Sequence, residues 1–156
     1  LENDYCLISR NMPMFQKTNR NIHYQIEDNF LRIWFRYIYR YNYMLEVGAN
    51  KKLKIIMDRD YTTYTGKVLE RYFKAKMIES EQYTNIASWW DRRGENEIDI
   101  IAVDEIEQAV FFYEVKRQAK DVVIGIVKEK AEHFFHTTGR FKKYDIEYKG
   151  LSMEDM

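Results

Sequence analysis

The segment Tyr113-Glu114-Val115-Lys116 sets a carboxylate and an amine two residues apart among apolar neighbours. Alternate residues of a strand share a face, so Glu114 and Lys116 are expected to point the same way. Such a pair on a central strand is costly to bury unless something compensates it, and a metal ion held by the carboxylate is one solution. A second acid, Asp99, interrupts the apolar segment Glu97-Ile98-Asp99-Ile100-Ile101, where aspartate is a poor strand former. The polar link 104–108 joins the two segments as a hairpin. Asp99 lies seven residues before its centre at Ile106 and Glu114 eight after, so the carboxylates fall near-opposite. Like charges so placed call for a cation between them.

Two carboxylates and a lysine suit metal-assisted hydrolysis of a phosphodiester. Magnesium prefers oxygen ligands and completes its shell with water and phosphate, polarising the phosphate and lowering the pKa of a bound water. Lys116 is read as steadying the attacking water or the charge on the phosphate. Glu70, on a preceding helix, is a further ligand or the partner that orients one. A lone Glu-x-Lys in a strand is more often an exposed ion pair. Asp99 one hairpin earlier, and then Glu70, lift this one above that background.

The elements that must position these residues follow from periodicity. The stretch 10–21, with the lone Pro13, reads as a loop leading into a short hairpin arm over 22–26. Asp28 or Asn29 caps a helix over 30–41 whose stripe Leu31, Trp34, Phe35 and Ile38 is expected to be buried. Arg32, Arg36 and Arg40 recur four apart on another face, suited to phosphates or an acidic partner but more simply a solvated or inter-domain face. The stretch 48–52 is a candidate linker. A helix over 52–77, in one or two pieces around 58–66, turns Val68, Leu69, Tyr72 and Phe73 to the core, with Glu70 beside them and Lys67, Lys74 and Lys76 outward. Strands follow over 86–91, 97–103 and 109–117. Asp121 is read as capping a helix to about 137 that Gly139 ends, and a last strand spans 143–148. Helix, three-stranded meander, helix and returning strand make an α/β sandwich with a mixed sheet.

Composition narrows the function classes. The chain has 156 residues, 46% apolar and 32% charged, which is globular and ample for a core. Basic and acidic residues number 25 each, so a general basic footprint for nucleic acid is missing. Residues 1–60 carry 10 basic against 7 acidic residues, and the remainder 15 against 18. Cys6 is the only cysteine, excluding an intrachain disulfide and a cysteine-rich zinc site. That single thiol, no signal peptide and no apolar run of about 20 residues point to a cytoplasmic protein with no membrane partner. Leu1 is not an initiator methionine, and the first forty-five residues read as the tail of a preceding unit, so the chain is expected to be part of a longer polypeptide.

Other groups have simpler readings. His133 and His136 share a helix face but lack an acidic partner at a standard zinc spacing, and are read as surface or packing histidines. Trp89 and Trp90 could stack bases, yet a strand packed on a helix explains them. Arg92 and Arg93, in the turn beside the site, are candidates for a phosphate backbone that must pass the metal.

Taken together, residues 66–148 resemble the PD-(D/E)XK nuclease superfamily. Its pattern of a helical glutamate, an aspartate strand and (D/E)-x-K is matched by Glu70, Asp99 and Glu114-Val115-Lys116. The stretches 89–99 (WWDRRGENEID) and 24–36 (YQIEDNFLRIWFR) are similar to a narrower group, the nuclease-like C-terminal domain of a prokaryotic AAA-type ATPase family, a domain of unknown function. The resemblance implies a restriction-endonuclease-like three-layer sandwich with a mixed central sheet and flanking helices over 52–150. A helical or winged-helix remnant over 1–48 precedes it. It further implies Mg²⁺ or Mn²⁺ on Asp99 and Glu114, catalytic Lys116 and Glu70, and DNA as substrate with Arg92, Arg93 and Arg117 on its phosphates. An ATPase domain is implied upstream. This chain has no G-x-x-x-x-G-K-[ST], so ATP is expected only at that missing domain. Ile98 replaces the proline that precedes the superfamily's aspartate. The alternative is an inactive nuclease-fold module that docks the ATPase to DNA or protein, or self-associates as a homo-oligomer.

Overall fold

A computed structural model describes residues 7–16 and 21–156; Cys6 and positions 17–20 of the expected loop lie outside the described residues. The chain divides into two compact units that part within one long helix, between Tyr64 and Thr65, with residues 12–21 belonging to the second unit.

The first unit starts from an antiparallel pair, β1 (Ile8–Asn11) and β2 (His23–Ile26). Asp28 caps α1 (Asn29–Ile33) by accepting the backbone N–H of Leu31 at 2.7 Å. The continuous α-helix expected over 30–41 is instead broken. A π-helical segment, Trp34–Tyr39, follows α1, and a turn then leads to α2 (Asn42–Glu46). Bonding of the i→i+5 kind rotates every later side chain out of the α-helical stripe. Trp34 and Phe35, expected in the buried stripe, are exposed, and Tyr37 is the buried ring. The arginine row is divided as well. Arg32 donates to the carbonyl of Ile26, Arg36 forms a two-pronged pair with Asp60, and Arg40 lies over Tyr41. Asp60 also accepts the Tyr37 hydroxyl. Arg36 first, then Tyr37, hold its carboxyl down at about 2.

Helix α3 (Asn50–Glu79) is a single piece. It contains no proline, and the roughly 1 kcal/mol that Gly66 costs a helix interior is too little to break it. Leu69 and Phe73 are its buried residues in the second unit, whereas Tyr72 is exposed and Val68 half-buried.

The second unit is a mixed α/β fold around a four-stranded sheet in the order β3 (Asn85–Trp90), β4 (Glu97–Asp104), β5 (Ala109–Val115), β6 (Asp145–Leu151). The meander β3-β4-β5 is antiparallel and β6 returns parallel to β5. Helix α4 (Ile124–Thr138) makes the crossover. It begins after Val123 and not at Asp121, which closes a short 3₁₀ turn, Ala119–Asp121. Gly139, left-handed at φ 64°, ends it and donates to the Phe135 carbonyl.

Alternation along the strands sorts side chains to two faces. Ile100, Ala102, Tyr113 and Val115 pack with Leu69 and Phe73 of α3. Ile101, Val103, Val110 and Phe112 pack with Val127, Ala131 and Phe134 of α4. Helices on both faces of one sheet make three layers. Each fully buried Ile, Val, Leu or Phe among them contributes roughly 1.5–3 kcal/mol. Trp89 is buried against Phe134, and Trp90 donates its indole N–H to the Asn21 carbonyl, so both tryptophans pack internally. Among the described residues no helix is long and apolar enough to cross a membrane.

Candidate functional site

The hairpin register is the one that loop length implies. Ile100 pairs with Tyr113 and Ile101 with Phe112, so the ladder carries Asp99 to the level of Glu114. A β-bulge alters what Asp99 does there. Ala87 pairs with Ile101 and Trp89 with Ile98, so Ser88 alone opposes both Asp99 and Ile100. The phase of β4 slips at this point: Ile98 joins the α4 side although Ile100 packs on the α3 side. Ser88 secures the bulge by donating its hydroxyl to the Asp99 carbonyl at 2.7 Å. The Asp99 carboxylate turns to β5, where Oδ2 accepts the Val115 N–H at 2.8 Å. The simple shared face expected for Asp99 and Glu114 is thus replaced by a carboxylate laid toward the neighbouring backbone.

Glu114 keeps its place in the alternation, on the side of Phe112 and α4, and is 4% exposed. Lys116, two residues on, reaches its Oε1 at 2.6 Å. Lys130 of α4 contacts both oxygens, at 3.1 and 2.8 Å. Burial would raise the Glu114 carboxyl, but hydrogen bonds and charge from Lys116 and Lys130 outweigh it and hold it below the ordinary range.

Glu70 approaches from α3. Lys67 pairs with it at 3.0 Å and with Glu97 at 3.2 Å. Burial, and then the charge of Asp99, push its carboxyl up to about 7 against the pull of Lys67. The Asp99 carboxyl is raised by burial and by Glu114, although the Val115 N–H opposes this. Lys116 loses stability as a cation through burial but is driven the other way by Glu114, then Asp99, then Glu70. One ammonium therefore feels all three carboxylates. Lys67 is exposed, as the helix pattern suggested, whereas Lys74 is half-buried. They share the Glu70 face at spacings of three and four, and burial lowers the Lys74 ammonium, whose Nζ lies 3.5 Å from the Ser88 hydroxyl.

Arg92 and Arg93 are exposed in the turn after β3, and Arg117, next to Lys116, is half-buried with its carbonyl toward the Met153 N–H. That turn is held by Asp91. Its carboxylate accepts the N–H groups of Arg93, Glu95 and Asn96 and the Asn96 side chain, which overcome burial and keep it below its usual range. His133 packs on Trp89 with Nε2 3.9 Å from Asp91, and His136 is exposed. Sequence reasoning missed Lys130. It occupies position i+3 of the inward stripe Val127, Ala131, Phe134, where a lysine needs an acidic partner inside.

Among the described residues no three His, Cys, Asp or Glu side chains form a ready-made metal cage. The donors are nevertheless of the kind Mg²⁺ or Mn²⁺ takes: hard carboxylate oxygens of Asp99 and Glu114, with Glu70 behind. Burial is the larger cause of the raised Asp99 and Glu70 carboxyls, and the repulsion that adds to it is what a divalent cation would relieve. A cavity of about 340 Å³, lined by Pro13, Met14, Phe15, Trp89, Thr138 and Arg140 among others, shares no residue with this cluster.

An uncharacterized protein of Methanocaldococcus jannaschii is 33% identical over 117 residues, which cover 70% of this chain and 26% of the relative. The chain thus spans about a quarter of that relative's length. No solved structure matches. Residues 34–137, taking in α3 and every member of the carboxylate–lysine cluster, match a family described as archaeal and bacterial proteins of unknown function, and the chain belongs to this family, DUF234.

Proposed function

We propose that the second unit is a Mg²⁺- or Mn²⁺-dependent phosphodiesterase of the PD-(D/E)XK nuclease type, acting on DNA in the cytoplasm. The observation that carries the reading is the contact of the Lys116 ammonium with Glu114 at 2.6 Å, on the strand whose register carries Glu114 to the level of Asp99. Asp99 and Glu114 are the residues to hold the ion, which when bound would polarise a phosphate and supply an activated water. Lys116 aims its ammonium at charge developing on the phosphate. A glutamic acid titrating near neutrality is suited to accept or return a proton, and this is the role assigned to the Glu70 carboxyl. Arg92, Arg93 and Arg117 are assigned to the DNA backbone. The resemblance over 24–36 and 89–99 supports attachment to an upstream AAA-type ATPase, and only that domain would bind ATP. The length of the archaeal relative leaves room for such a domain.

The test is incubation with plasmid DNA and Mg²⁺ or Mn²⁺. The wild-type chain should cleave, lose activity with chelator, and fall at least about 100-fold in Glu114→Ala and Lys116→Ala. Equal rates in wild type and variants would end the catalytic reading. A second reading is favoured by the closure of Glu114 under two ammonium groups, which leaves it charge-balanced with no metal. The unit is then a binding module for DNA or protein. Salt-dependent DNA affinity without cleavage, or a stable oligomer by light scattering, would mark it.

A further inference from the structure

Lys130 is placed unlike an ordinary surface lysine. It projects from the inward side of α4, its side chain is 23% exposed, and it holds both oxygens of a carboxylate that is itself 6% exposed. Lys116 meets Oε1 and is the more exposed ammonium, at 41%. The face of Glu114 that could take an ion is therefore already filled by the Lys130 Nζ. Magnesium needs contact at about 2.0–2.1 Å, and two cations cannot share those oxygens without strong repulsion at low dielectric.

We propose that Lys130 is the resident cation of Glu114, and that a divalent ion reaches this carboxylate by displacing it. The proposal rests on the metal-site reading of Asp99 and Glu114. It assigns Lys130 a positioning role: it keeps a buried carboxylate ionised and in place while no metal is bound, and it competes with the metal thereafter. Lys130 has a long flexible stem and its own helix, so it can withdraw without moving β5. Metal affinity is thereby set by the strength of the Lys130–Glu114 pair.

The test is calorimetric titration of Mn²⁺ into the whole chain, comparing wild type, Lys130→Met, Lys130→Arg and Glu114→Gln at one pH. Lys130→Met should bind Mn²⁺ roughly tenfold more tightly than wild type. Lys130→Arg, whose planar fork grips a carboxylate more firmly, should bind more weakly. Glu114→Gln should lose binding. If Lys130→Met binds no more tightly than wild type, or Lys130→Arg is unchanged, the competition does not exist, although the metal site itself stands. If neither wild type nor Lys130→Met takes up Mn²⁺, the metal reading and the proposal fall together. Should Lys130→Met fail to fold, the Lys130→Arg arm decides.

Discussion

The Asp99 carboxylate accepts the Val115 backbone N–H at 2.8 Å, so a side chain extends the β4–β5 contact one step beyond the last backbone pair, Ile100 and Tyr113. Asp99 thus has a structural task that is separable from metal binding. Asp99→Ala leaves a buried donor without its acceptor, and should lower the unfolding free energy by about 1–2 kcal/mol in urea titrations. Asp99→Asn retains a carbonyl oxygen for that N–H and should stay within a few tenths of wild type, while both variants lose Mn²⁺ affinity. Equal stability of the two variants would show that the Val115 bond contributes nothing.

Much of this arrangement was legible in the sequence. Period-two segments flanking the link 104–108 give the β4–β5 hairpin, and counting from Ile106 sets Asp99 at the level of Glu114, which is the register found. The bulge was not legible. Ile98 and Ile100 read as one face of a regular strand, and only the pairing of Ser88 against two residues reveals the slip. Lys130 was hidden because helix lysines are usually solvated. Its position on the stripe of Val127, Ala131 and Phe134 was the available signal. The π-helical turn Trp34–Tyr39 was not legible, because the apolar spacing of Leu31, Trp34, Phe35 and Ile38 fits a regular α-helix equally well.

Glu70 should impose a pH dependence on stability. Its carboxyl titrates near 7 in the fold, raised first by burial and then by Asp99, against an ordinary value of 4.5. Between these values the folded chain binds more protons than the unfolded one, so stability should fall as pH rises from about 4.5 to 7. The loss from this residue is on the order of 2–3 kcal/mol. Thermal melts across that range should show the decline in wild type and a flatter profile in Glu70→Gln. Saturating Mg²⁺ should also flatten it by relieving the repulsion. An identical slope in Glu70→Gln would contradict the assignment.

Gly150 stands opposite Glu114 in the parallel pair of β5 and β6. A Cβ there would lie 2.3 Å from Cγ1 of Val122 and 3.1 Å from its Cβ, too close for the stiff valine to accommodate. Gly150→Ala should destabilise the chain by about 1–3 kcal/mol and push β6 away from the Glu114 end of β5. Adding Val122→Ala should recover part of the loss, a coupling that denaturant melts of the single and double variants would expose. Simple additivity of the two changes would argue against this contact.

On the reading proposed above, Asp99 and Glu114 together hold a divalent cation beside Lys116. Crystals of the chain soaked in Mn²⁺ and measured at the manganese absorption edge test it most directly. An anomalous peak is expected in contact with carboxylate oxygens of both Asp99 and Glu114, with the Lys130 ammonium drawn away from Glu114. A fully soaked crystal with no peak there, and Lys130 still on both Glu114 oxygens, would contradict it.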